Sequence, residues 1–271
     1  MIDLVDRMIC TGFEFIDLAN EMMESCRKEK DKVALYSRPV ISFFIKRATE
    51  GFESFLILLR RDRHADAAIL FRSFCEMGIN TDYIYSDPES KEVRAMKLLV
   101  NEIREQKNIL EKNKGVFGHE GLDVEERLKK KKEDLEEMKR ELLTRFREKD
   151  WKWPKLCKRV DASRSEVISN IYNLAYAYTS NIEHHDMYFG RDYISVDECE
   201  PAREIQPNPL LRPDINLVMF RSILLVIMKT FNAEFHLNWQ KELERLENMH
   251  EQEYREMPGR QEKGRKVEGV R

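Results

Sequence analysis

The stretch AAILFRSFCEMGINTDYIY, residues 67–85, decides the fold. Arg72 and Glu76 are the only charges between Ala67 and Thr81. They stand four residues apart, with Asn80 and Tyr83 continuing the same line, so a helix would carry all four on one face. The rest of the segment is apolar on every side, as in a helix packed inside a bundle. Proline at 88 disfavours helical geometry in the residue before it, so this helix is expected over about 64–86. A charge inside such a helix is costly unless partnered. Arg72 and Glu76 are therefore either an internal ion pair or one wall of a polar pocket between helices.

The neighbouring segments have the same period. Val5, Ile9, Gly12, Ile16, Ala19, Met23 and Cys26 are spaced alternately four and three apart, which predicts a first helix of about seven turns. A second helix follows Arg38, with Pro39 in its first turn, where a missing N–H costs nothing. A fourth is expected over about 89–113, before the glycine-rich loop NKGVFGHEG. Residues 123–150 hold ten acidic and ten basic residues around a narrow seam of Val124, Leu128, Leu135, Met138, Leu142 and Phe146. Opposite charges at i,i+4, such as Glu136/Arg140 and Glu141/Arg145, support a long helix of coiled-coil character there. With the helix before it, it would form a protruding hairpin.

After WKWP, Ser163 or Ser165 is the expected cap of a helix reaching about residue 184. A proline-rich connection follows, then one long helix over about 214–255. It contains INLVMFRSILLVIM, an apolar run interrupted by Arg221 and too short to span a bilayer. The only strand candidate is DYISV. The expected architecture is all-α, without significant sheet. Residues 1–112 and 151–255 would form one helical bundle, 113–150 an inserted charged arm, and 256–271 a disordered tail.

Composition narrows the function. The chain has 271 residues, a formal net charge of −3 and five cysteines without regular spacing. Nothing global draws it to a membrane, and nucleic-acid binding is not indicated by charge. The N-terminus lacks a basic leader, and scattered thiols fit a reducing, cytoplasmic setting. No phosphate-binding loop, dinucleotide fingerprint or zinc motif occurs. Glu247-x-x-His250 alone has di-iron spacing, on a helix read as exposed and highly charged, so neither metal nor other cofactor is expected.

A second constellation closes the uncharged run Val167–Ile182. Tyr172, Tyr176, Ser180 and His184 recur every four residues on one helical face, with Glu183 one residue from that line. His185 and Asp186 point elsewhere or into the helix end, where a protonated histidine is favoured by the helix dipole.

These two patterns together resemble a prokaryotic group catalogued as domain of unknown function 5677. Its hallmarks are an Arg-Ser-x-x-Glu helix, here Arg72, Ser73 and Glu76, and a later Tyr-x-x-x-Ser-x-x-x-His helix, here Tyr176, Ser180 and His184, preceded by Trp151 and Trp153. The resemblance spans about 40–186 and implies an all-helical fold whose activity is open. It also implies that Arg72 and Glu76 face Tyr176, Ser180 and His184.

The chain is more distantly similar to HEPN domains (higher eukaryotes and prokaryotes nucleotide-binding). Their ribonuclease members carry an arginine followed four to six residues later by a histidine. His184 has no arginine at that spacing, and the match is RLENMH, Arg245 to His250.

Three functions are consistent with these residues. One is a binding or regulatory module whose inter-helix pocket is lined by Arg72, Glu76, Tyr83, Tyr176, Ser180, Glu183 and His184. Its partner would be a small ligand or a protein, and the charged arm could make a homodimer. Another is a metal-independent ribonuclease, with His184 as general acid or base and Arg72 stabilising developing charge. The third is a structural self-associating protein.

Overall fold

A computed structural model describes residues 3–26, 36–113, 124–163, 165–173 and 213–257. Helix accounts for 85% of them, and they contain no strand. The helices are α1 (Leu4–Cys26), α2 (Ser37–Arg60), α3 (His64–Tyr85), α4 (Lys91–Lys112), α5 (Val124–Phe146), α6 (Leu156–Asp161), α7 (Glu166–Ile171), α8 (Pro213–Glu234) and α9 (Gln240–Glu256).

The main core is built by α1, α2, α3 and α8. α8 is the central element: it is apolar on nearly every face because it packs on α1, α2, α3, α7 and α9. Its Phe220 ring centroid lies 4.0 Å from Phe55, 4.4 Å from Phe74 and 5.0 Å from Phe71. α3 reaches α8 closely at Gly78, where a Cβ would stand 2.8 Å from Ile223 and 3.2 Å from Ile168. A larger residue there would have to displace side chains that are themselves fully buried.

α4 belongs to two cores. Ala95 and Leu98 join the main one, while Met96 and Val100 pack with Leu135 and Leu142 of α5 in a second cluster. α4 and α5 run antiparallel, since Glu111 pairs with Lys132 at one end and Lys97 with Glu148 at the other. Helix α7 starts where Ser165 accepts a hydrogen bond from the Ile168 N–H at 3.3 Å. Of the two serines considered as caps, Ser165 is the one used.

The single long helix expected over 214–255 is two helices. His236 has φ 52°, in the left-handed region. The Leu237 N–H donates to the Asn232 carbonyl at 3.0 Å and the His236 N–H to Ala233 at 3.3 Å. These bonds satisfy the last carbonyls of α8 and turn the chain. The Asn232 side chain then accepts from the Trp239 N–H at 3.2 Å, bracing the start of α9. Neither glycine nor proline marks this turn, so the sequence pattern runs through it. The tail from residue 258 and the strand candidate DYISV lie outside the described residues.

Candidate functional site

Two polar groups stand against the apolar background. The first lies where α6 meets α3. Arg159 of α6 is 5% exposed. Its Nη1 donates to Asn80 Oδ1, and its Nη2 donates to Glu76 Oε1 at 3.2 Å. Its Nε has no partner among the described residues. The guanidinium lies over the Trp153 ring, 5.1 Å from the centroid. Trp153 meets the Tyr83 ring edge-on at 5.4 Å, and Arg94 of α4 covers Tyr83 at 4.5 Å. Four residues thus form a ladder of cation, ring, ring and cation. The Glu76 side chain keeps 45% of its surface exposed, so the group opens to solvent.

The electrostatics follow from this half-burial. Burial pushes the Tyr83 phenol above its ordinary pKa, and the charges of Arg94 and Arg159 oppose the shift. Burial also pushes the Glu102 carboxyl up, and the negative charges of Glu105 and Glu76 add to it. Glu102 of α4 therefore shares the field of Glu76. The group offers carboxylate acceptors beside a guanidinium with a spare N–H, an arrangement suited to a polar ligand.

Glu76 thus finds its ion-pair partner in Arg159, a residue with no obvious helical period in KLCKRV. Arg72 and Glu76 are both partly buried. The structure brings Glu76, Asn80 and Tyr83 together with Arg159 and Trp153. Tyr172 is partly buried against the main core. Tyr176, Ser180, Glu183 and His184 lie outside the described residues.

The second group is sealed. Arg221 of α8 is 0% exposed, and its Nη1 donates to Glu253 Oε2 of α9 at 2.5 Å. Thr11 of α1 donates to the other oxygen of Glu253 at 2.8 Å. Beside them, Ser222 Oγ and His250 Nε2 are 2.9 Å apart. Burial, with Arg221 nearby, lowers the His250 pKa to about 3. α9 was read as an exposed charged helix, but Leu243, Leu246, His250 and Glu253 form a buried stripe at spacings of three and four. Glu247 turns away to pair with Lys229 at 2.5 Å, so Glu247 and His250 do not face one ion. Arg245 likewise points outward to Glu14 at 2.8 Å, away from His250. Among the described residues no group of three or more His, Cys, Asp or Glu side chains could hold a metal. The sealed network joins three helices and is the structural one of the two.

The model of the family of unknown function DUF5677 matches residues 39–201. The chain belongs to that family. No curated protein and no solved structure matches it. In this DUF5677 chain the matched span holds α2 to α7, and so contains the whole Arg159 group. α8 and α9, which carry the sealed group, lie beyond it. No described helix of this DUF5677 protein is long and apolar enough to cross a membrane.

Proposed function

We propose that this protein is a binding or regulatory module whose ligand enters beside Glu76 and meets Arg159. The observation that carries the reading is a buried guanidinium beside a carboxylate that solvent reaches: Arg159 Nε has no partner among the described residues, and Arg221, which also has unpartnered nitrogens, lacks such an opening. A buried donor without an acceptor costs about 1–3 kcal/mol, so a ligand acceptor there gains what the free protein lacks. Asn80 and Glu76 fix the orientation of Arg159. The absence of disulfides at Cys10, Cys75 and Cys157 supports a reducing, cytoplasmic setting.

A thermal-shift screen with small carboxylates, amines and nucleotides tests the reading. A ligand at one hundred times its Kd adds about 2.7 kcal/mol of stability. The expected result is a ligand that raises Tm in the unmodified protein and loses most of that effect in Arg159→Lys, which keeps the positive charge and removes the Nε–H. Equal protection of both proteins, or protection by no ligand, would sink it.

A further inference from the structure

The segment REKDWKWPKLCKR, residues 147–159, joins α5 to α6 and carries lysines at 149, 152, 155 and 158, one every third residue. All four are exposed. None forms an ion pair among the described residues. The two acids within the row are already engaged. Glu148 pairs with Lys97 at 3.2 Å, and Asp150 accepts the Lys152 backbone N–H at 3.0 Å. Between the lysines stand Trp151 and Trp153, each partly exposed. Lys139 of α5 lies 4.4 Å from the Trp151 ring centroid and Arg104 of α4 lies 5.8 Å away, each also paired with an acid of its own helix, Glu136 and Glu105.

We infer that this strip is a binding surface for single-stranded nucleic acid, adjoining the ligand site at Glu76, with which it shares Trp153. Net charge hides it: the chain totals −3 and α5 is balanced, but the strip itself is locally cationic. Phosphate affinity comes from local Lys and Arg contacts that release counterions, and indole rings give bases a face to stack on. An acidic peptide would satisfy the lysines but would make no use of the part of each indole that stays exposed. The six steps from Lys149 to Lys155 span at most about 20 Å, and one helical turn adds about 5 Å, enough for a strand of several nucleotides.

The test is fluorescence anisotropy of the full chain with labelled twelve-nucleotide oligo(U) and oligo(dT), from 50 to 200 mM NaCl. Polyglutamate of equal length serves as competitor. With three or four phosphates engaged, log K should fall against log[salt] with a slope of about −2 to −3, at about −0.7 per contact on a single strand. The variant with Lys149, Lys152, Lys155 and Lys158 all changed to Gln should keep its circular dichroism spectrum and lose at least tenfold in affinity. Tryptophan fluorescence should quench on binding in the unmodified protein. Equal affinity of the variant, no binding at 50 mM salt, or polyglutamate binding as tightly as the oligonucleotide would each overturn the inference. The last outcome would make the strip a docking surface for an acidic protein. Glu76→Gln should leave oligonucleotide affinity unchanged, which separates this result from the fate of the ligand site.

Discussion

His250 shows how one residue's chemistry depends on its surroundings. Ser222 Oγ lies 2.9 Å from the Val218 carbonyl, which can only accept, so the hydroxyl hydrogen is committed there. Nε2 of His250 must then carry the proton it donates to Ser222, and Nδ1 is left buried without a partner. Burial disfavours the charged ring, and protonating Nδ1 would also place a second cation beside Arg221, so the folded pKa falls to about 3. The sign of the pH effect follows. The unfolded chain takes up this proton below pH about 6.5 and the folded chain does not. The contribution is present in full above that pH and is lost as pH falls towards 3, at up to about 1.4 kcal/mol per pH unit. Urea denaturation between pH 7 and pH 4 should show this loss, and His250→Gln should flatten it. Parallel pH curves for the two proteins would show that His250 is not the titrating group.

At the scale of the element, α2 is capped by another helix. Its N-cap residue, Tyr36, makes no side-chain cap of its own. Glu92 of α4 takes that place: its Oε2 accepts from the Tyr36 N–H at 2.6 Å and the Ser37 N–H at 3.2 Å. A carboxylate there also faces the positive end of the helix dipole. Ser37 Oγ bridges Glu92 to Glu234 of α8, which Lys91 balances at 2.7 Å. Glu92→Ala should therefore cost about 1–2 kcal/mol, the range of a lost N-cap. Hydrogen exchange should speed up in the first turn of α2 before it does elsewhere. Unchanged protection at that turn would assign the cap to another group. The periodicity of α1 to α5 was legible in the sequence, and this cap was not, because its donor and acceptor are 56 residues apart.

At the scale of the molecule, α5 contributes no residue to the main core and packs on α4 through its own small cluster. Treating 113–150 as a separable arm is a proposal with a direct test. Replacing these residues with a Gly/Ser linker of about 20 residues, enough to run back along the roughly 33 Å of α4, should leave a cooperatively melting protein. Its Tm should be lower, because Met96 and Val100 lose their cover. Calorimetry of the shortened chain checks this, and loss of a cooperative transition would make α5 part of the core.

The sequence by itself determined the all-helical class, the helix spacings and the family. Those properties are local: apolar period, prolines, caps and charge pairs act within a few residues of one another. Tertiary structure decided which charges are buried. Arg72 and Arg221 both interrupt apolar runs and look alike in one dimension, yet Arg221 is fully sealed and Arg72 is not. It also decided that Glu76 pairs with Arg159 across 83 residues, and that His250 lies inside rather than out. Burial and partnership depend on which helix faces cover one another, and α8, at the far end of the chain from α1, supplies the cover. No pattern confined to one helix carries that information.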